Sequence, residues 1–324
     1  MNELHFAYAV ARIRCNELNL LTSADFEQLI SSPDHAGAVA FLNDKGWELD
    51  EKSDSNAAAF ARKREEAWAL IESSLEDVSI LNSVIVFNDF HNLKAALKCK
   101  FTGGDAKKYV LHPCVADCET LLTAVETHRF DQLPAFLRDS AQEAYDMLVQ
   151  TGNGQRADCV LDCAALRTAV DMAKKSDSAM LLTLAQTLAD CADVKTAYRC
   201  FKTGKDEAFA EQALSGSGKL DKAALIAAAG SGAEELAPLL EAAGYPQLAK
   251  SLLAGDSVGF EKACDDALLA IYIQAKHSAF GVEPVAAYYL ACESQVKNVR
   301  IILSGKLNRL PQEEIERRVR NLYV

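Results

Sequence analysis

Long apolar runs are missing from this chain. The longest candidate, Val78–Phe87, reaches only about half of the roughly eighteen uninterrupted apolar residues that a membrane-crossing helix needs. Any attachment to a membrane is therefore expected to pass through another protein. Aromatic residues and prolines are also scarce, at 7% and seven residues, while Ala and Leu dominate, a balance that favours helices over strands. An excess of positive charge is lacking as well. The formal net charge of −12 argues against sequence-independent nucleic-acid binding, which needs a basic face. It leaves room for a local basic patch that would orient one protein partner. The opening MNELHFAYAVARIRC reads as an amphipathic helix with internal charges and not as an export signal. A reducing compartment is then expected, in which the ten cysteines are small buried apolar residues.

Reactive constellations are absent too. Gly216-Ser217-Gly218-Lys219 invites a phosphate-loop reading, but Ala213 and Leu220 stand where Gly and Ser or Thr are required, so a flexible turn is expected. Cys114/Cys118 and Cys159/Cys163 form two i,i+4 pairs that would each share one helix face. A four-Cys zinc site is conceivable from them, yet zinc motifs use two-residue gaps in loops, and no metal is expected. Asp265-Asp266 matches the acidic start of a metal–diphosphate helix, but Leu269 occupies the place of the third carboxylate. The six histidines are scattered and none lies in an H-E-x-x-H motif. No catalytic residue or cofactor is assigned.

What is present is enough chain for a sizeable core: 324 residues, half of them hydrophobic. Leu4, Tyr8, Ala11, Cys15 and Leu18 fall on one stripe and predict a helix packed along its length. Thr22 or Ser23 caps a second helix with Asp25 in its first turn, and Ser32-Pro33 ends or restarts it. Gly46 and the run EKSDSN read as a connection.

A longer unit then recurs. In residues 56–104, 157–205 and 259–306 a helix is followed by a second carrying a polar residue, a branched apolar residue and a base. These triplets are Asn92-Leu93-Lys94, Asp193-Val194-Lys195 and Asn298-Val299-Arg300. Each second helix is expected to stop at a glycine, Gly103, Gly204 or Gly305, whose positive φ closes a helix C-terminus. The branched residue belongs to the apolar stripe, which in the third copy is Tyr289, Cys292, Val296, Val299 and Leu303. The base sits on the stripe's edge, its stem packed and its charge in water. A spacing of roughly one hundred residues is too long for a solenoid and suits three small duplicated domains, 1–108, 109–212 and 213–324. Residues 215–245 read as several short helices with Gly stops.

The C-terminal pattern E-x-x-x-K-N-V-R-I-I-L-x-G-K-x-N-x-L-P, from Glu293 to Pro311, followed by the terminal LYV, resembles the end of the C subunit of the V/A-type ATPases, the family of the eukaryotic d subunit. The opening helix with Tyr8, Arg12, Arg14, Leu20 and Leu21 is similar to that family's start, and NDFHNLKAAL and ADCADVKTAYR resemble its two internal Asp-x-x-Asn/Asp-x-Lys helices. The alanine- and cysteine-rich middle regions match weakly. The resemblance implies an all-α fold of three similar domains forming a funnel-like socket. It also implies a non-catalytic place on the central stalk of a rotary ATPase. There the chain would couple the shaft of the D and F subunits to the proteolipid ring, cytoplasmic and peripheral to the membrane, in a complex that makes ATP or pumps protons or sodium ions. The alternatives are a helical interaction scaffold unrelated to ATPases and an all-α enzyme.

The third domain concentrates basic residues: Lys297, Arg300, Lys306, Arg309, Arg317, Arg318 and Arg320. Most of them suit solvated faces and helix C-termini. The docking reading takes Lys297, Arg300, Lys306 and Arg309, with Arg12 and Arg14, as lining a surface for a neighbouring rotor subunit.

Overall fold

A computed structural model describes residues 4–53 and 55–324, with side chains from Phe6 onward. The described residues form sixteen α-helices and four short 3₁₀ segments, with no strand among them. The first four helices are α1 (Leu4–Glu17), α2 (Ser23–Ser31), α3 (His35–Asp44) and α4 (Ala57–Glu72). Next come α5 (Asn82–Thr102), α6 (Cys118–Thr127), α7 (Ala135–Thr151), α8 (Gly154–Lys175) and α9 (Ala179–Thr203). Four short helices follow, α10 (Glu207–Ala213), α11 (Lys222–Ala229), α12 (Ala233–Ala242) and α13 (Pro246–Leu253). The last three are α14 (Ser257–Tyr272), α15 (Glu283–Leu307) and α16 (Gln312–Arg318). The expected all-α class holds, and residues 215–245 do fall into short helices.

By packing, the chain forms two compact units. One joins residues 1–78 to 256–324, and the other is residues 79–255. In the first, Phe26, Leu29 and Leu42 from the N-terminal helices share a core with Val296, Val299, Ile302 and Leu303 of α15 and Ile315 of α16. In the second, Phe90, Leu93 and Leu97 of α5 pack with Leu121 of α6, Leu137 of α7 and Leu161 of α8. The stripe expected along α15 is buried throughout.

Local signals explain most helix ends. Thr22 accepts from the Asp25 amide while the Asp25 carboxylate accepts from Thr22 N, a reciprocal capping box that starts α2. Asp34 caps α3 after the Ser32-Pro33 break, and Ser178 caps α9 after the break at 176–178. Gly103 and Gly204 end α5 and α9 at φ +80° and +61°, as expected.

The third copy departs from this pattern. Gly305 lies inside α15, and the helix runs on to Leu307. A Cβ on Gly305 would stand 2.7 Å from Ile315 Cγ1, so this glycine is there to let α16 approach closely. The left-handed residue beyond the helix is Arg309, at φ +53°. A side chain in that region is strained where glycine is not. Arg309→Gly is therefore expected to stabilise the protein by about 0.5–1 kcal/mol in denaturant unfolding. A loss of stability would show instead that the arginine side chain supports the fold.

The face of α1 is a second correction. Its buried side is Phe6, Ala9, Val10 and Ile13, whereas Tyr8, Ala11, Cys15 and Leu18 are exposed. Leu4, the first residue of the expected stripe, lies outside the described side chains. Both sets of residues have helical spacing, and tertiary packing turned the Phe6, Ala9, Val10 and Ile13 side inward.

Candidate functional site

The recurring polar residues, for which the sequence offered no role, fasten the chain that follows each long helix. In α5, Asn92 accepts from Leu111 N at 2.8 Å and donates to Leu111 O at 3.0 Å. One turn earlier, Asp89 accepts from Val115 N and Ala116 N at 2.9 and 2.6 Å. In α9, Asp193 takes Ser215 N, Ser215 Oγ and Gly216 N, each at 2.8 Å. Asp190 takes Lys219 N, Leu220 N and Tyr245 Oη at 2.8, 2.9 and 3.0 Å. In α15, Asn298 brackets Arg320 through its N at 2.9 Å and its O at 3.2 Å. Asp89, Asn92, Asp190, Asp193 and Asn298 are all buried. The irregular segments that follow α5, α9 and α15 have backbone groups without helical partners, and these buried side chains satisfy them.

This also settles the glycine-rich loop. The turn at Gly216–Lys219 is an ordered backbone nest, and the anions in it are the protein's own Asp190 and Asp193. A Cβ on Gly218 would stand 1.9 Å from Asp190 Oδ1, so the loop can close only around glycine. The Asp265-Asp266 pair has a comparable duty. Asp265 accepts from Lys297 at 2.5 Å and Arg320 at 2.7 Å, and Asp266 accepts from Asn321 N at 2.9 Å, latching the C-terminal segment onto α14.

The six basic residues of the docking reading divide sharply. Arg12 donates to Ser73 O and to the hydroxyls of Ser73 and Ser74 at the end of α4. Arg14 pairs with Glu17 at 2.8 Å and donates to the carbonyls of Ala275, Lys276 and Ser278. Lys306 donates to Ile30 O and Ser32 O, closing the C-terminus of α2, and burial lowers its pKa against the pull of Asp34. Lys297 is tied to Asp265, with its side chain 47% exposed. The Arg300 guanidinium lies 5.1 Å over the Phe60 ring, and its pKa is lowered by burial and by the Arg64 charge, with Glu293 opposing. Arg309 is exposed, with no side-chain hydrogen bond or ion pair among the described residues. Arg12, Arg14 and Lys306 are thus engaged in holding helix ends, while Arg309 and the outer edges of Lys297 and Arg300 face solvent.

The apolar surface that sequence reasoning assigned to the interior is more open to a partner. Tyr8 on α1 is 62% exposed, and Leu18, just past the end of that helix, is 85% exposed. Leu18 also borders a cleft of about 390 Å³ with Arg14, Glu17, Leu20, Tyr323 and Val324. Its helical spacing from Tyr8 and Cys15 was the available signal, and it carries no information on which side of the helix meets the core.

These features define an all-helical protein whose buried Asp89, Asn92, Asp190, Asp193 and Asn298 hold its own backbone, and which exposes Tyr8, Leu18, Lys297, Arg300 and Arg309. No helix among the described residues is long and apolar enough to cross a membrane. The chain belongs to the ATP synthase (C/AC39) subunit family, whose pattern it matches over residues 9–318. It is 25% identical over 323 residues to the C subunit of the Enterococcus hirae V-type sodium ATPase, covering 96% of this chain and 97% of that one. The resemblance read from the 293–311 pattern and the internal helices is therefore shown, and with it a place in an ion-transporting ATPase complex.

Proposed function

We propose that the chain is the non-catalytic, central-stalk C subunit of a rotary V/A-type ATPase, coupling a shaft of D and F subunits to the membrane proteolipid ring. The observation that carries this reading is the family match along almost the whole chain, shared end to end with the C subunit of a V-type sodium ATPase. Torque reaches the ring through stacked helices, whose close-packed interiors resist shear. The side-chain clamps on the long helices give the same support: each fixes a loop that would otherwise yield under load. Their recurrence on α5, α9 and α15 supports an internal triplication into three similar helical domains, 1–108, 109–212 and 213–324, as the funnel-like socket reading requires. The protein sits on the cytoplasmic side, held to the membrane through its partners, and needs no cofactor of its own for this work. Exposed Tyr8 and Leu18, and the solvent-facing heads of Lys297, Arg300 and Arg309, are the groups offered to neighbouring rotor subunits.

The test is a pull-down of the tagged protein from gently solubilised native membranes, with mass spectrometry of what accompanies it. The D and F subunits and a small proteolipid are expected together. Leu18→Asp, at a solvent-facing position where folding should change by no more than about 0.5 kcal/mol, should strip one of these partners. Recovery of none of them from membranes that contain intact ATPase would leave a helical scaffold of another kind.

A further inference from the structure

His112, Cys114 and Cys118 are the one group of three or more His, Cys, Asp or Glu among the described residues whose ligand atoms converge, all lying within 4.8 Å of one another. Neither Cys159 nor Cys163 belongs to it, and Cys163 Sγ faces Gln212 O instead. The expectation that Cys114 and Cys118 share a helix face is also corrected. Cys114 lies in the irregular segment before α6, and Cys118 is the first residue of that helix. This is a loop–helix junction, the setting in which metal ligands are commonly gathered, and the third donor is a histidine that a count of cysteines passes over.

We propose that His112 Nδ1, Cys114 Sγ and Cys118 Sγ form a binding site for a zinc-type divalent cation, with a fourth position open to water. The two sulfurs are 3.0 Å apart, and Nδ1 lies 3.8 Å from Cys114 Sγ and 4.0 Å from Cys118 Sγ. Tetrahedral zinc with Zn–S near 2.3 Å and Zn–N near 2.05 Å needs roughly 3.8 Å between sulfurs and roughly 3.6 Å between sulfur and nitrogen. The nitrogen is thus close to its required place, and the thiols need to part by only about 0.8 Å.

The surroundings hold this geometry from outside. Asn92 grips Leu111, immediately before His112, and Asp89 grips Val115 and Ala116, immediately after Cys114. The donors therefore sit on a short loop pinned at both ends to α5, which is the preorganisation a metal site requires. Asn92 Nδ2 also lies 3.6 Å from Cys118 Sγ, placed to donate to a thiolate there. Charge points the same way. Asp89 accepts from Val115 N and Ala116 N, and Asp117 caps α6 next to Cys118, so two carboxylates flank the donors. Two thiolates, a neutral imidazole and a divalent cation sum to zero, and the same carboxylates attract the cation. Binding would release the two thiol protons, so affinity should rise with pH. His112 is exposed, which leaves an entry path.

The experiment uses the full chain, reduced with a phosphine, loaded with Zn²⁺ and dialysed, with bound metal counted by plasma mass spectrometry. A parallel sample takes Co²⁺ and is followed by its absorption. One equivalent of zinc is expected, with a thiolate-to-cobalt charge-transfer band and the intense visible bands of a tetrahedral site. Cys118→Ser should abolish both, and His112→Ala should weaken binding roughly tenfold or more. The double variant Cys159→Ser/Cys163→Ser should bind as the parent does. Far-UV circular dichroism checks that each variant is folded. No retained metal in the reduced parent, or a full equivalent in folded Cys118→Ser, would overturn the proposal. So would a parent whose only chemistry at this pair is a Cys114–Cys118 bridge that forms in air without metal.

Discussion

Asp190→Ala should destabilise the unit formed by residues 79–255 by about 3–5 kcal/mol, because three donors lose their acceptor at once and an unsatisfied buried donor costs about 1–3 kcal/mol. Those donors are Lys219 N, Leu220 N and Tyr245 Oη. Gly218→Ala should cost about 3 kcal/mol by the converse route, since its Cβ would enter the space of Asp190 Oδ1 and Cγ. The two losses share one cause. The double variant should therefore fall short of their sum by about 1–2 kcal/mol, and strict additivity would show that the loop does not depend on this carboxylate. Denaturant unfolding, with hydrogen exchange at the amides of 215–220, reads both the size and the place of the effect. The pH dependence has a definite sign. Burial holds the Asp190 carboxyl above its ordinary range, while the Leu220 amide, the Tyr245 hydroxyl and the Lys219 amide pull it back and the Asp193 charge adds to the rise. The folded chain consequently binds this proton more tightly than the unfolded one. The stability it contributes is fully present below the ordinary carboxylate pKa and declines as pH rises through the folded value. Asp190→Asn should remove that part of the pH profile.

Gly305→Ala, which would stabilise an unobstructed helix by about 1 kcal/mol, should here destabilise the first unit by about 1–3 kcal/mol. The added methyl would stand 2.7 Å from Ile315 Cγ1 and 3.0 Å from Cδ1, and Ile315 is itself packed in the core. Ile315→Ala alone should cost about 2–5 kcal/mol through the cavity it leaves. Introduced into that background, Gly305→Ala should change sign and become stabilising, because the obstruction is gone. Thermal or denaturant unfolding of the four proteins decides the matter. If Gly305→Ala destabilises equally in both backgrounds, the close approach of α16 is not what this glycine is for.

Much of this architecture is legible in the amino-acid order because it is local. A capping box needs residues three apart, and Thr22 with Asp25 announces itself. A left-handed helix end needs glycine, and Gly103 and Gly204 are where the spacing puts them. The same rule misleads at Gly305, where the reason for glycine is a helix approaching from a later part of the chain. The polar residues of the repeat were visible as a pattern, but their partners lie some twenty residues downstream in segments without periodicity, so nothing local names the acceptor–donor pairs. For α1, two helical stripes of similar spacing were available and only tertiary packing chooses between them. The docking residues suffer most from this limit. A lysine at a helix end such as Lys306 and a free arginine such as Arg309 look alike in sequence, though one closes a distant helix and the other faces water.

Because the first compact unit is assembled from residues 1–78 and 256–324, the intervening part of the chain is in effect an insertion within it. During synthesis the helices α2 and α3 emerge with Phe26, Leu29 and Leu42 uncovered, and the side chains that complete their core belong to α15 and α16, which are made only after the inserted unit. At synthesis rates of about 5–20 residues per second, that apolar surface stays open for roughly ten seconds or more, while the inserted unit can fold as soon as it is complete. Nascent chains of this protein should therefore call on holding chaperones through the N-terminal segment alone. A ribosome stalled before α15 would present one finished unit and one unfinished half, which gives quality control a clear mark by which to distinguish chains that carry α15 and α16 from truncated ones before either is assembled.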